Sequence, residues 1–379
     1  MTGRERFLKI ARFELPNTFF LSTYNHAMWH KTLERWVEEG APKEILSSTK
    51  ARLGYFGFER IGMVHVEASF LTLGKTGGPP FIPPVRPRFE LKVLEEDERT
   101  RVIIDEGGRK LRQYKDDPQR MPAWLDAPVK NRGDWDEYKK RLDPHHPERW
   151  LEPDWGAYAE NLSQRDYPLG VDVGSFYGLL REWTGAERLM YLFYDDPELV
   201  CDMMAHMEYF STEIIQRVLK DIQVDFAVFW EDIAWKGGPL ISPKMFREFM
   251  MPHYKKVTEL LHRKGVDIIF VDSDGDISEL IPLWVESGVN GMYPLEVAAG
   301  MDAVKLRKQY GKQCILWGNI DKRALAKGKE AIKEELDRKI PFLLSQGGYF
   351  PGIDHFIPED VSLENFQSYL DYLREHFAS

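Results

Sequence analysis

The stretch Val266-Asp-Ile-Ile-Phe-Val-Asp272-Ser-Asp274-Gly275-Asp276 decides the fold class. Its apolar residues, with one polar interruption, predict a buried strand, and Gly275 predicts the turn that ends it. The apolar spacing from Ile277 to Glu286 then predicts a helix. Strand, loop and helix in this order form one unit of an α/β protein, and enzymes of this class carry their chemistry on such loops.

Three carboxylates, those of Asp272, Asp274 and Asp276, follow this strand. Acidic side chains crowded at one strand end repel one another, unless a cation, a proton or a basic group lies between them. Asp276 also has a purely structural interpretation, because an aspartate before a helix caps its first turn. For Asp272 and Asp274 we favour a functional role.

Short apolar runs alternate with amphipathic helices along most of the chain, which predicts βα units and a parallel sheet. Eight such runs predict a (β/α)8 TIM barrel that spans residues 1–379 as a single domain. The predicted strands are Thr18–Ser22, Gly62–Glu67, Leu169–Gly174, Asp225–Trp230, Val266–Val271, Val289–Tyr293, Gln313–Trp317 and Gly347–Phe350. The main predicted helices are Asp196–Val218, Pro243–Arg263, Asp302–Tyr310, Lys322–Leu344 and Pro358–His376.

Residues 76–150 interrupt this pattern after the second predicted strand. Alternating apolar and polar residues occur in Phe89–Leu94 and again around Arg101–Ile104, and Glu106-Gly-Gly predicts a turn after them. We interpret residues 76–150 as an inserted subdomain that contains a β-hairpin.

Composition narrows the function class. The 379 residues are 43% hydrophobic and 30% charged, with a net charge of −10, which is typical of a soluble globular protein. The acidic balance and the lack of a Lys/Arg stripe argue against nucleic acid as a partner. No apolar run reaches membrane-spanning length, and Met1–Arg6 lacks the apolar core of a signal peptide, so we expect a cytoplasmic protein.

Polar side chains follow five of the predicted strands, and in a barrel of this kind such strand ends converge on one mouth. Four of these side chains, Glu231, Asp272, Asp274 and His355, could bind a divalent metal. Carboxylate and imidazole donors are compatible with zinc, iron or manganese. A histidine after a strand is equally compatible with a structural hydrogen bond.

Three segments resemble the uroporphyrinogen decarboxylase superfamily, which includes the cobamide-dependent methyltransferases. They are Trp230-Glu-Asp-Ile-Ala-Trp-Lys-Gly-Gly-Pro-Leu-Ile-Ser-Pro-Lys-Met-Phe-Arg-Glu-Phe, Gly318-Asn-Ile-Asp-Lys-Arg-Ala-Leu and Gly347-Gly-Tyr-Phe-Pro-Gly-Ile-Asp-His-Phe-Ile-Pro-Glu-Asp-Val-Ser-Leu-Glu-Asn-Phe. The resemblance implies a (β/α)8 barrel, in agreement with the strand count.

The departures from the decarboxylase pattern favour the methyltransferase branch. Decarboxylases of the superfamily carry an arginine-rich loop of the form Met-Arg-Gln-Ala-Gly-Arg, and the matching stretch here, Thr23–Lys31, has no arginine. A substrate with many carboxylates would lose its main cationic partners there. The decarboxylase aspartate after the second strand also has no clear match, and only His355 aligns with a residue of that site.

Methyltransferases that resemble this chain hold zinc through a His-x-Cys pair and a distant cysteine. The resemblance places these ligands on Asp272, Asp274 and His355, with Glu231 as a fourth ligand or a general acid. Such donors make a harder Lewis acid than thiolates do, and it would suit an oxygen substrate. The resemblance thus implies O-demethylation of a methoxylated aromatic compound by cob(I)alamin (a corrinoid) carried on a separate corrinoid-binding protein.

The predicted catalytic residues are Glu231, Asp232 and His355. The predicted substrate contacts are His26, Trp29, His65, Trp230, Trp235, Tyr293 and Asn319, whose aromatic members could sandwich a ring or the corrin edge. Two alternatives stay open: decarboxylation of a tetrapyrrole or another carboxylated substrate, and a non-catalytic small-molecule-binding barrel whose carboxylates pair with Lys236, Lys322 or Arg323. A homodimer is compatible with the resemblance.

Overall fold

A parallel sheet forms the centre of the protein. The structure, a computed structural model, describes residues 1–15, 17–69, 83–117 and 120–377. In these residues the sheet has seven strands in the order β1-β6-β7-β10-β11-β12-β13. These strands are β1 Gly62–Met63, β6 Leu169–Asp172, β7 Phe226–Trp230, β10 Ile269–Asp272, β11 Gly291–Tyr293, β12 Ile315–Ile320 and β13 Tyr349–Ile353.

The sheet curls around the aromatic ring of Phe7, a residue of the first helix. The ring of Phe7 lies 5.3 Å from that of Phe226 on β7 and 4.9 Å from that of Phe350 on β13. Since one side chain contacts strands four positions apart in the sheet order, the sheet bends round it. The fold is therefore a mixed α/β fold with a curled parallel sheet.

The first predicted strand, Thr18–Ser22, is a correction, because the structure has no strand there. Ser22 forms a single parallel bridge with Glu59, just ahead of β1. On the other side, the Asn25 carbonyl accepts a hydrogen bond of 3.0 Å from the Ile353 backbone N–H at the end of β13. An irregular segment thus connects the two edge strands, β1 and β13, at the position where the first strand of a closed barrel was predicted.

Strand alternation gives the sheet two apolar faces, as period-two side-chain geometry requires. Phe226 and Val228 of β7 belong to a compact cluster with Phe7, Phe270 and other residues, and we call this face of the sheet the inner face. Ala227 and Phe229 belong instead to the larger core that the helices cover. Successive residues along a strand therefore point to opposite faces of the sheet, and we call this odd or even position the parity of a residue.

Fifteen α-helical segments lie within the described residues. They are α1 Gly3–Ala11, α2 His30–Glu38, α3 Thr49–Phe56, α4 Arg132–Tyr138, α5 Trp155–Ser163, α6 Gly178–Thr184, α7 Ala186–Asp195, α8 Pro197–Asp221, α9 Pro243–Met245, α10 Met251–Arg263, α11 Ile281–Glu286, α12 Ala303–Tyr310, α13 Lys322–Lys327, α14 Lys329–Gln346 and α15 Leu363–Phe377. Two predicted helices are interrupted. A π-helical turn at Phe246–Met250 separates α9 from α10, and Gly328, with φ of 102°, separates α13 from α14.

An antiparallel sheet of four strands precedes α4. Its strands are β2 Lys92–Glu96, β3 Thr100–Ile104, β4 Lys110–Tyr114 and β5 Ala123–Asp126. The turn at Glu106-Gly-Gly joins β3 to β4, as the sequence indicates. Residues 76–82 of the predicted insertion lie outside the described residues, and its boundaries stay a prediction. A third small sheet pairs β8 Ala234–Trp235 with β9 Gly238–Pro239.

Among the helices in the described ranges, none is both long and apolar enough to cross a membrane.

Candidate functional site

A cavity of about 1040 Å³ opens at the carboxyl ends of the parallel strands. Asp272 at the end of β10, Tyr293 at the end of β11 and His355 after β13 line it, together with Asp232 from the loop after β7. We call Asp232, Asp272, Asp274 and His355 the acidic centre. Four predicted site residues from three segments of the chain thus meet in one cavity.

Asp274 and His355 form an ion pair, with 3.0 Å between His355 Nε2 and Asp274 Oδ2. Desolvation lowers the pKa of His355, but the adjacent Asp274 carboxylate outweighs it, so this pKa lies above the usual histidine value. The imidazole therefore keeps a proton more readily than a free histidine does.

Gly275 allows the loop after β10 to adopt this position. Its φ is +87°, and a Cβ there would lie 2.5 Å from the carbonyl carbon of Ala234. A side chain would therefore push the loop that carries Asp274 away from β8. Asp276 accepts a hydrogen bond of 3.0 Å from the Ser278 backbone N–H and so stabilises a local turn. It does not cap a helix, because α11 begins only at Ile281, with Leu280 as its N-cap.

Asp232 holds an unusual backbone conformation at the cavity wall, with φ of 44°. Its Oδ1 accepts a hydrogen bond of 3.2 Å from the Asp274 backbone N–H, and the Arg181 guanidinium lies 3.5 Å from Oδ2. Desolvation and the Asp274 charge raise the pKa of Asp232 to about 6, although Arg181 opposes this shift. Strained backbone of this kind is characteristic of functional sites.

Asp272 is the carboxyl of the centre that lacks a protein donor. Among the described residues, none donates a hydrogen bond to its side chain, although it lies on the cavity floor. Burial raises its pKa well above the usual aspartate value, and the charges of Asp232, Asp274 and Asp172 act in the same direction. The side chain therefore takes up a proton more readily than a free aspartate does, or it can bind a cation.

Aromatic side chains form the walls of the cavity. The predicted contacts Trp29, Trp230 and Tyr293 all line it. The Trp29 ring lies 6.3 Å from the His355 ring. Trp124 of β5 also lines the cavity and was missed by the sequence analysis, because nothing in its strand pattern connects it to the parallel sheet.

The charges on the cavity walls are predominantly acidic. Of the described residues, the acids Asp126, Glu182, Glu187, Asp232, Asp272 and Asp274 and the bases Arg181, Arg188 and His355 line it. Both arginines, missed by the sequence analysis, already pair with carboxylates: Arg181 with Glu182 and Asp232, and Arg188 with Asp126. The cavity therefore offers little free positive charge to an anionic substrate.

Two further polar residues of the inner face escaped the sequence analysis. Asp172, the last residue of β6, is 5% exposed, and no described residue forms a hydrogen bond with its Oδ1. Tyr24 is 4% exposed, and its hydroxyl also lacks a partner in the described part of the chain. Burial raises the pKa values of both side chains well above their usual ranges. A charged residue inside the apolar run Leu169–Gly174 was the signal that could have identified Asp172.

Glu231 is a correction, because its carboxylate points away from the cavity. It is fully buried and accepts hydrogen bonds from the backbone N–H groups of Phe176, Tyr177 and Gly178. The hydroxyls of Ser175 and Tyr254 donate to it as well. Both oxygens are occupied, so in this arrangement Glu231 binds the start of α6 and contributes neither a metal ligand nor a general acid.

The two predicted histidine contacts lie outside the cavity and are also corrections. His26 is buried, with Nε2 2.9 Å from the Tyr369 hydroxyl and its ring stacked on Phe58. Its role is therefore structural. His65 has a half-exposed side chain whose Nδ1 pairs with Glu152. Neither ring faces the acidic centre.

Asn319 and Trp235 are the remaining corrections. The Asn319 side chain is fully buried, accepts from the Ala303 backbone N–H at 2.9 Å and donates to the Leu295 and Met301 carbonyls. It therefore stabilises loops beneath the mouth. Trp235 on β8 is 57% exposed and does not line the cavity.

The predicted metal site is only partly formed. Carboxylates and an imidazole are donors that divalent metals accept, and the Asp274–His355 pair brings two of them together. Within the described ranges, however, no group of three or more His, Cys, Asp or Glu side chains is arranged to hold a metal ion. The metal thus stays a proposal, with Asp272, Asp274 and His355 as the residues that would bind it.

Comparisons with known proteins agree with this architecture. A relative, the uroporphyrinogen decarboxylase of Geobacter metallireducens, is 23% identical over 186 residues, which are 49% of this chain and 51% of that protein. The uroporphyrinogen decarboxylase of Xanthomonas axonopodis pv. citri is 27% identical over 143 residues, 34% of this chain and 37% of that protein. The matched segments thus span about half of one relative and about a third of the other.

A solved structure, a methyltransferase from Methanosarcina mazei, has a similar fold. It matches with a TM-score of 0.58 at 14% identity, over 100% of this chain and 100% of that chain. A family model described as uroporphyrinogen decarboxylase (URO-D) matches residues 158–376, which is more than half of the chain. The chain therefore belongs to the uroporphyrinogen decarboxylase family.

Proposed function

We propose that the protein is a methyltransferase that removes the methyl group from a small methoxylated aromatic compound and passes it to a corrinoid carried by a separate protein. The observation that carries this proposal is the pairing of aromatic walls with a donor-free carboxyl, Asp272, on the floor of one cavity. The cavity volume of about 1040 Å³ exceeds the needs of a single aromatic ring and leaves room for a second reactant at the mouth. The fold of the Methanosarcina mazei methyltransferase supports the same branch.

The residues divide the work between binding and proton transfer. Trp29, Trp230 and Tyr293 would bind the ring by stacking and edge contacts. A cob(I)alamin on the partner protein would supply the nucleophile that accepts the methyl group. When the methyl–oxygen bond breaks, its electron pair stays on oxygen, and the Asp272 carboxyl is placed to give that oxygen a proton. Because its pKa is raised, Asp272 holds this proton more readily than a free aspartate does.

After the proton has left, the Asp272 carboxylate lies in the same cavity as the Asp274–His355 ion pair. Repulsion from Asp232 and Asp274 then favours uptake of a new proton by Asp272 from solvent. Alternatively, zinc or another divalent metal held by Asp272, Asp274 and His355 would polarise the leaving oxygen as a Lewis acid. Both versions require Asp272, and the metal content of the purified protein separates them.

Methyl transfer can be tested directly with reduced cobalamin under anoxic conditions. Methylcobalamin formation from 4-methoxyphenol or 1,4-dimethoxybenzene would be followed by absorbance, for wild type, Asp272→Asn and His355→Gln. The matched control is His65→Gln, which changes a histidine outside the cavity. We expect activity in wild type and the control and its loss in the two cavity variants. Equal rates in all four proteins would exclude the acidic centre as the site.

Elemental analysis of protein purified without chelators tests the metal. Stoichiometric metal that is lost in Asp272→Ala but retained in Asp276→Ala, a matched change in the same loop, would establish the Lewis-acid version. An active wild type without metal would establish proton transfer from Asp272.

Decarboxylation remains the second candidate, because both curated relatives are named uroporphyrinogen decarboxylase. A carboxylated substrate would need positively charged side chains in the cavity to bind it. The arginines there, Arg181 and Arg188, are already paired with carboxylates. Carbon dioxide release from a porphyrinogen, without methyl transfer from any aromatic ether, would favour this activity over the proposed one.

A further inference from the structure

The cavity has an apolar part besides the acidic centre. Trp124 and Leu125 of β5 line it, together with Met121 ahead of that strand and Tyr191 of α7. Each of these four residues keeps between 41% and 60% of its surface exposed. Large apolar side chains exposed together on a concave wall are characteristic of a ligand-binding surface. We call these four side chains the apolar annex.

A β-bulge directs two successive residues of β5 to the cavity. Lys110 of β4 is opposite Asp126, and the next residue, Leu111, is opposite Trp124. Leu125 is therefore an extra residue between the two pairs. Successive side chains of a regular strand point to opposite faces, but a bulge interrupts this alternation. Both Trp124 and Leu125 can therefore line the same wall, and bulges at sheet edges often turn side chains toward functional sites in this way.

Buried charges fix β5 beside the acidic centre. The indole N–H of Trp124 donates a hydrogen bond of 3.3 Å to Glu182 on α6. Arg109, which precedes β4 and is 2% exposed, donates to the same carboxylate. The residue before Glu182, Arg181, lies 3.5 Å from the carboxylate of Asp232 in the acidic centre. The annex and the acidic centre are thus connected through adjacent residues of α6, and a ligand longer than one ring can contact both.

The annex offers contacts that suit a flat apolar group. Its indole and phenol rings bind aromatic ligands by stacking and edge contacts, and its leucine and methionine side chains fill the space beside them. The volume of the whole cavity, about 1040 Å³, lies at the upper end of the range for sites that enclose drug-sized ligands, about 300–1,000 Å³. A single methoxylated ring at the acidic centre would leave the annex uncovered.

We propose that the apolar annex binds a second aromatic ring, so that the substrate is a methoxylated compound with two linked rings. This inference rests on the proposed function and narrows its substrate class. The methoxylated ring lies between Trp29, Trp230 and Tyr293, with its oxygen near Asp272, and the second ring lies against Trp124. The corrinoid-carrying protein is the competing occupant of these exposed side chains, but their place on a concave wall favours a small molecule.

Isothermal titration calorimetry on the purified chain tests the annex without any corrinoid. The ligands are 4-methoxyphenol and 4-hydroxy-4′-methoxybiphenyl, which carry the same two substituents and differ by one ring. Wild type should bind the biphenyl about tenfold more tightly, because the annex removes the second ring from water. In Trp124→Ala and in Tyr191→Ala this preference should fall toward equal affinity, while the affinity for 4-methoxyphenol stays unchanged.

Tyr194→Ala is the matched control. Tyr194 is an exposed tyrosine on α7, three residues after Tyr191, and it lies outside the cavity, so its removal should leave the tenfold preference unchanged. Trp124→Ala should fold, because Glu182 keeps its ion pairs with Arg109 and Arg181. If it does not fold, Leu125→Ser, which removes an exposed apolar contact of the same wall, gives the same selectivity test.

Equal affinity of wild type for the two ligands, or no binding of either, would overturn the inference. A preference that persists in both annex variants would also overturn it and would leave the exposed side chains to the corrinoid-carrying protein. Failure of the proposed function gives a different result, because a tenfold preference for the biphenyl without methyl transfer would retain the annex and remove the activity. Methyl transfer from 4-methoxyphenol by a wild type that binds both ligands equally would retain the activity and remove the annex.

Discussion

Two loops of the protein begin alike in sequence and differ in structure. The first follows β7 and carries Glu231 and Asp232; the second follows β10 and carries Asp272 and Asp274. In both, acidic residues follow a buried strand of a parallel sheet. Yet the buried carboxylate of the first loop, Glu231, accepts five hydrogen bonds, whereas Asp272 of the second accepts none from the described residues.

Strand parity explains the difference. Glu231 continues the alternation of Ala227 and Phe229, which belong to the larger outer core, so its side chain points to the outer side. Asp272 has the parity of Phe270 and therefore faces the cavity. A carboxylate at a strand end is thus a functional candidate where the protein gives it no hydrogen-bond donors. Where such donors surround it, its role is structural.

The strongest test of this comparison is removal of Glu231. Glu231→Ala leaves three backbone N–H groups and two hydroxyls buried without an acceptor, so we expect the free energy of unfolding to fall by about 3–5 kcal/mol. Denaturant unfolding followed by circular dichroism measures it. The matched change Asp272→Ala should alter stability by less than about 1 kcal/mol, because no protein donor loses its partner. Equal losses in the two variants would remove the distinction between the loops.

The second test measures methyl-transfer activity in place of stability. Asp272→Asn keeps the shape of the side chain but cannot donate a proton as an acid, so we expect methyl transfer to slow at least about 100-fold. The unfolding midpoint should stay at or above that of wild type. Asp276→Asn in the same loop should retain the wild-type rate. A fully active Asp272→Asn would assign the proton to another group of the acidic centre.

The pattern of apolar residues was sufficient to predict the parallel strands, but it did not predict how the two edges of the sheet are connected. Runs such as Leu169–Gly174 and Asp225–Trp230 are apolar on both faces, and only a buried parallel strand satisfies that pattern. Thr18–Ser22 has a similar composition, yet it forms only a single bridge, from Ser22 to Glu59, and the contact with β13 comes from Asn25, beyond its end. Its conformation depends on packing against distant residues, which a local pattern does not contain.

The candidate site shows the same division between local and distant information. Asp272, Asp274 and His355 could be predicted because each follows a strand, and strand ends meet at one mouth. His26 and Asn319 also follow predicted strands, but buried groups elsewhere in the chain use their polar atoms. Arg181 and Trp124 come from a helix and from the antiparallel sheet, and only the folded chain brings them to the cavity. Parity along β7 was the local signal that could have excluded Glu231.

The pH dependence of stability provides a smaller test. The folded state raises the pKa of Asp272, so it holds this proton more tightly than the unfolded chain does. As the pH rises above about 4, the unfolded state loses the proton first, and stability falls. The Asp272→Asn variant has no titrating carboxyl at this position, so its stability does not fall for this reason. Its Tm relative to metal-free wild type should therefore increase from pH 4 to pH 8, as measured by calorimetry. A constant difference would mean that Asp272 is ionised in the folded protein.

The smallest expected effect concerns the aromatic residues around the first loop. Trp230 lines the cavity, whereas Trp235, five residues later on β8, is exposed outside it. Trp230→Ala should weaken binding of 4-methoxyphenol about fivefold through lost ring contacts, and Trp235→Ala should leave the calorimetric affinity unchanged. If Trp235→Ala had the larger effect, the ligand would bind outside the cavity, and parity along β7 would no longer tell which side chains meet the substrate. If Trp230→Ala has the larger effect, as we expect, then the end of β7 supplies a ligand contact at Trp230. The next residue, Glu231, then has a structural role.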